Sequence, residues 1–330
     1  DSPDHHYNRR EMESRCVFRP RYLNHVPVAG RRIPSGLACI LREGRPDLVL
    51  VPEFSILALE VCLLRAVFRW KFQIISICDD SMDMIRGNEL SRLHALARKM
   101  AMPMIDDVIL PDSEACRWYR EHYGKGIFFP IVRDEQAFRM QCREALPVSL
   151  SLQEEYALRG KKVVLYVGRL APEKNLECLV RAAASLPEDT VLVIVGSGSL
   201  KEELQHLAGR MQVSAIFPGW LEGVRLAAWY NLADIFVLPS LVEPFGAVVN
   251  DALAAGCFCL VSGRCGSSCL IRQGWNGELF DPEDEERLAS LLREACRNRG
   301  VRPSFPHLKE CLMPAGFREY VNHLMEHMGL

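Results

Sequence analysis

Two carboxylates, Glu243 and Asp251, stand eight positions apart around a Pro-Phe-Gly bend and the start of an apolar run. Carboxylates so placed can orient hydroxyls or act as acid and base. Glu243 follows a buried-looking strand at 234–239, and open α/β sheets bind ligands beyond the carboxyl ends of their strands. Phe245 and Gly246 then open a helix, and a helix amino terminus attracts anions. The place suits a ligand with both hydroxyls and phosphates, such as a nucleotide-activated sugar.

Other residues could serve the same ligand. Gly168-Arg169 and Lys174-Asn175 follow a strand, and the two cations could hold a diphosphate as it leaves. The alternative is a basic loop with surface ion pairs such as Glu173 with Lys174. Val195-Gly-Ser-Gly-Ser199 also follows a strand, but Lys201 stands where G-x-G-x-x-G needs its third glycine. Ser199 is expected to cap the next helix. Trp220 with Leu221 sits at a further strand end, where it either packs or flanks a base. Asp79 and Asp80 end a strand in the first half, as acid/base groups, metal ligands or a helix cap. No D-x-D spacing and no convincing zinc pattern occurs, and His323 and His327 share a helix face without a third ligand.

The elements that must position these residues alternate. Strand-like runs at 47–52, 73–78, 107–110 and 127–130 are separated by helical patterns at 89–101 and 113–122. Asp112-Ser113 reads as a helix cap and Gly124 as a stop. A polar stretch at 133–160 reads as a return helix and linker. A second series has strands at 162–167, 190–196, 213–217, 234–238, 258–261 and 277–280, with helices between. Val, Ile and Leu runs alternating with helices indicate parallel sheets covered on both faces. The fold expected is α/β, with two Rossmann-like doubly wound domains at 1–150 and 151–330 facing a cleft. A last amphipathic segment at 315–328 packs back across them. Residues 1–24 show no confident strand.

Composition narrows the class. The 330 residues are 49% hydrophobic and 25% charged, with a net charge of −2, which gives no sign of nucleic-acid binding. Thirteen cysteines are scattered through apolar segments, as reduced buried thiols would be. A cytoplasmic protein is expected. No apolar run reaches the length of a membrane span. The run at 65–72 alternates basic and aromatic residues, which suits either an anionic membrane surface or a helix end leading into a strand.

The order of the motifs is more specific than any one of them. G-R-L-x-x-E-K-N, V-G-S-G, F-x-G-W-L, A-D-I-F-V-L-P-S and E-P-F-G-x-V-V-x-D-A-L-A-A-G together resemble the donor domain of GT-B glycosyltransferases of family 4, the "group 1" family. The match runs over about 161–292, and the amino-terminal half matches only in its alternation. The resemblance implies a retaining enzyme that needs no metal or cofactor and takes a nucleotide diphosphate sugar of UDP or GDP type. It implies that Arg169 and Lys174 bind the diphosphate, Gly198 lies against the donor, and Trp220 and Leu221 lie beside the base. Glu243 would contact the transferred sugar, Phe245 and Gly246 would present amides, and Asp251 would hold the ribose. The acceptor would be a glycan or lipid-linked molecule in cell-surface polysaccharide synthesis, at the inner face of the membrane.

Three departures qualify that picture. Asp251 stands where the family has a second Glu. The family's amino-terminal glycine-rich loop is absent, so the first βα unit is missing or replaced. Where the family often has a His, this chain has Asp79 and Asp80, either of which could orient a sugar hydroxyl or take the acceptor proton. Two other readings remain: a catalytically impaired nucleotide-sugar-binding protein or partner subunit, and an NAD-dependent oxidoreductase.

Overall fold

The computed structural model describes residues 21–28, 31–80, 82, 85, 92–298 and 307–329. Most of the leader at 1–24, the companions Ser81 and Asp83 of the aspartate pair, and the expected start of a helix at 89 lie outside them. Two short strands, β1 (Asn24–Val28) and β2 (Arg31–Ser35), pair antiparallel. Each holds a proline, which obscures a strand in the sequence. Helix α1 (Leu37–Gly44) follows.

The strands β3 (Leu48–Pro52), β4 (Gln73–Ile77), β5 (Asp107–Leu110) and β6 (Ile127–Phe128) form a sheet in the order β3-β4-β5-β6. The β3–β4 and β5–β6 pairs are parallel. Helices α2 (Ile56–Phe68), α3 (Arg92–Ala101) and α4 (Ser113–Tyr123) connect these strands. Helix α4 starts and stops where the sequence indicates. Asp112 accepts from the amides of Glu114 and Ala115, and Gly124 takes the left-handed conformation at its end.

The stretch at 133–160 is not a linker. It forms α5 (Glu135–Glu144) and α6 (Leu146–Glu155), capped first by Asp134. Phe138, Cys142 and Ala145 recur at helical spacing and are buried in the core of the carboxy-terminal sheet. Their few apolar positions are hidden in the sequence by the charged residues between them.

The carboxy-terminal sheet holds β7 (Lys162–Val167), β8 (Thr190–Val195), β9 (Ala215–Gly219), β10 (Ile235–Leu238), β11 (Phe258–Ser262) and β12 (Gly277–Phe280). The order is β12-β11-β10-β7-β8-β9, and every pairing is parallel. Helices α7 (Leu176–Ala183), α8 (Lys201–Arg210), α9 (Gly223–Leu232), α10 (Val248–Ala254), α11 (Glu285–Asn298) and α12 (Phe317–Met328) complete the chain. The β8 and β10 strands are buried along their whole length and β7 from Val163 onward, as expected of a sheet covered on both faces. Trp229, Tyr166, Tyr230 and Phe236 are the bulkiest side chains of this core.

By contacts the chain divides into two compact units, residues 1–77 with 91–108 and residues 78–90 with 109–330. Among the described residues no helix is long and apolar enough to cross a membrane.

Candidate active site

Strands β7, β8 and β9 run outward to one side of the sheet, and β10 then returns to the other side of β7. The crevice between the ends of β7 and β10 is therefore the topological switch point, where such sheets take ligands. Both motifs carrying the expected donor residues leave the sheet there.

The loop after β7 makes a short 3-10 turn at Pro172–Lys174 before α7 begins. Asn175, left-handed at φ 54°, separates the two and donates to the carbonyl of Pro282 at 2.8 Å. This turn buries Lys174 and aims it across the switch point. Its Nζ lies 2.6 Å from Oε2 of Glu243, with both side chains largely buried. The loops are also joined through backbone, since Leu241 N–H donates to the Glu173 carbonyl at 2.9 Å. Arg169 behaves differently: it is exposed and pairs with Glu173 at 2.7 Å. The ion pair read from sequence between Glu173 and Lys174 is thus replaced by two others.

The three strand-end loops of β7, β8 and β9 interlock. Leu170 N–H donates to the Ser197 carbonyl, Leu200 N–H to the Leu170 carbonyl, and Gly196 N–H to the Gly219 carbonyl. A Cβ on Gly196 would stand 1.8 Å from the Gly168 carbonyl oxygen, and one on Gly198 would stand 2.2 Å from that of Leu170. Glycine at 198 thus lets two loops meet. Ser199 does not cap the following helix: α8 starts at Lys201 with no side-chain cap. Trp220 projects beyond β9 and is 65% exposed, whereas Leu221 packs partly on the core.

A further loop braces Glu243. Gly266 N–H donates to the Glu243 carbonyl, and Ser267 N–H to that of Phe245 at 2.7 Å. Phe245 and Gly246 are buried, and a Cβ on Gly246 would stand 2.6 Å from Leu238 and 3.2 Å from Glu243 Cγ. The hydroxyls of Ser240 and Ser267 are buried here with no hydrogen-bond partner among the described residues. Sequence reasoning missed both serines, and it missed Tyr166. That phenol is buried below Gly168 and donates to the Arg169 carbonyl at 2.9 Å. Burial raises its pKa, and the nearby charge of Glu243 raises it further.

Asp251 is not beside Glu243 in its contacts. It is buried on α10, and both its oxygens accept from Nη1 of Arg133, at 2.8 and 2.7 Å. Burial raises its pKa, and the Arg133 charge opposes that shift. Asn250 alongside donates to the Ile131 carbonyl at 2.8 Å. The Arg133 contact crosses 118 positions of sequence, so no local signal announces it.

The first-half aspartates divide. Asp79 is exposed, while Asp80 is buried and accepts from the Tyr119 hydroxyl at 2.5 Å. Cys78, beside them, is a buried thiol whose pKa is pushed up by desolvation. Among the described residues no group of His, Cys, Asp or Glu is arranged to hold a metal ion.

Residues 151–307 match the family model of glycosyl transferases group 1. An uncharacterised glycosyltransferase of Methanocaldococcus jannaschii is 34% identical over 166 residues, covering 47% of this chain and 43% of that protein. A GDP-mannose-dependent alpha-mannosyltransferase of Corynebacterium glutamicum is 30% identical over 286 residues, covering 84% of this chain and 65% of its own length. The chain thus spans less than two thirds of either relative. Among solved structures, Anabaena HepE in complex with UDP superposes with a TM-score of 0.64 at 16% identity, over 89% of this chain and 80% of HepE. Likeness at that identity speaks for the fold alone, which is the GT-B arrangement of two parallel α/β sheets. Residues 151–307, just under half of the chain, are therefore similar to the glycosyl transferases group 1 family.

Proposed function

We propose that this chain is a glycosyltransferase that moves a hexose from a nucleotide diphosphate donor of UDP or GDP type to a glycan or lipid-linked acceptor. The observation that carries this reading is the Lys174–Glu243 pair at the switch point. It sets a cation for phosphate beside a carboxylate for sugar hydroxyls. A relative that is a GDP-mannose-dependent alpha-mannosyltransferase and a structural neighbour in complex with UDP support this reading.

In this reading Lys174 and Arg169 counter the charge that grows on the diphosphate as the glycosidic bond breaks. They do the work a metal would otherwise do. The loop amides at Phe245 and Gly246 face the phosphate or the sugar, and Trp220 flanks the base with Leu221. Glu243 accepts hydrogen bonds from the sugar. The acceptor hydroxyl attacks from the face that the phosphate leaves, and its proton passes to the leaving oxygen, so configuration is retained. Of the aspartate pair, Asp79 has the accessible carboxylate for orienting an acceptor. The setting is cell-surface polysaccharide assembly at the cytoplasmic face of a membrane.

The test separates binding from transfer. Arg169→Ala and Lys174→Ala should each weaken UDP or GDP binding by about 1–3 kcal/mol, the range for a charge-assisted contact. Glu243→Gln should lower transfer far more than nucleotide affinity. Unchanged nucleotide affinity in both cation variants would remove their phosphate role. One observation favours a second reading. Asp251, expected at the ribose, is paired with Arg133. A chain that binds UDP or GDP but neither transfers nor hydrolyses the matching sugar nucleotide would be a binding protein or partner subunit.

A further inference from the structure

Helix α2 is apolar on nearly every side. Ala58, Val61 and Cys62 face inward and are buried. The outward stripe should then be polar, as on an ordinary surface helix. Instead it carries Ile56, Leu63 and Val67 at helical spacing, joined by Phe68, at 41, 59, 65 and 54% exposure. Glu60, the only acid in the helix, shares this stripe with Ile56, Leu63 and Val67, and its Oε2 is buried without a hydrogen-bond partner among the described residues. Helix α3 packs against α2 and exposes Leu96 and Met100, one turn apart. At the end of α2, Phe68 stacks on Trp70 with centroids 4.9 Å apart, and Trp70 leans on Phe72 at 6.3 Å.

Cations accompany this apolar surface. Arg69, Lys71 and Lys99 are exposed, and none has an ion-pair partner among the described residues. Arg65, which the sequence groups with them, is turned inward. It donates to the carbonyls of Phe72 and Met104 and to the Asp106 carboxylate.

We propose that this face of the first unit docks on an anionic lipid bilayer. Leu63, Val67 and Phe68 enter the headgroup boundary, Trp70 lies at the interface, and Arg69, Lys71 and Lys99 meet lipid phosphates. Charge selects this partner over a second copy. A two-fold dimer through the face would set the same cations against one another, whereas an anionic surface complements them. Docking of this kind does not rest on the proposed transfer reaction.

The test is flotation of the whole chain with vesicles of phosphatidylcholine, with and without an equal share of phosphatidylglycerol. The chain should float with the anionic vesicles only, and less in high salt. Two variants probe the face: Leu63→Gln with Val67→Gln and Phe68→Gln, and Arg69→Gln with Lys71→Gln and Lys99→Gln. Each should cut partitioning at least about tenfold at unchanged melting temperature. Met140→Gln, an exposed apolar change on α5, should leave it intact. If the apolar variant does not fold, the cation variant decides. Failure to float, flotation retained by the variants, or a concentration-dependent dimer through this face would each overturn the proposal.

Discussion

Asp251 is a buried acid paired with Arg133, whose side chain is half exposed. Two effects compete there. Burial disfavours the charged carboxylate, and the guanidinium favours it. Burial prevails, so the folded pKa lies above the ordinary 3.8. The folded chain then holds this proton more tightly than the unfolded chain does. Stability from this group is fully present below 3.8 and falls as pH rises through the folded pKa. Asp251→Asn removes that slope while keeping an acceptor for Arg133. Urea unfolding of both proteins from about pH 4 to pH 7 should therefore show the variant gaining stability relative to its parent as pH rises. Parallel curves would show that the Arg133 charge cancels the burial cost. The Lys174–Glu243 pair is the opposite case, two buried charges that neutralise each other. In the reading proposed above, an arriving diphosphate competes with Glu243 for Lys174.

At the scale of elements, the site depends on loops that touch backbone to backbone. The β7 and β8 loops meet where Gly196, at φ 148°, presses on the Gly168 carbonyl. A methyl group there cannot be relieved by a rotamer change, because the obstacle is main chain. Gly124 makes a useful contrast, being left-handed at φ 69° with open space around its Cβ position. Gly124→Ala should cost about 1 kcal/mol, the conformational term alone. Gly196→Ala should cost at least about 2 kcal/mol, since overpacking adds to that term. It should also weaken nucleotide binding, because it parts the loops that carry Arg169 and Ser197. Urea unfolding and nucleotide titration measure both. Equal costs at the two glycines would mean that the interlock yields easily.

For the whole molecule, legibility in the sequence followed periodicity and chain order. The Val and Ile runs of β7, β8 and β10 announce a parallel sheet because both faces are buried, and Asp112 and Gly124 announce the limits of α4. The order of the loop motifs marks the family. What stayed hidden lies in contacts between distant segments. Glu243 reaches Lys174 across 69 positions and Asp251 reaches Arg133 across 118. The buried stripe of α5 and the proline-bearing hairpin β1–β2 were masked by charge and by residues that disfavour strands. The legible part nevertheless predicts how the molecule responds to a ligand. A nucleotide that binds only the folded chain stabilises it by about 2.7 kcal/mol at a hundredfold excess over Kd. For a domain of 150–250 residues that amounts to a rise in melting temperature of roughly 5–10 °C, at about 2–4 °C per kcal/mol. UDP or GDP should produce this rise in a thermal scan, and NAD should not, since Lys201 stands where a dinucleotide loop needs glycine. A rise with NAD alone would redirect the site from sugar transfer to hydride chemistry.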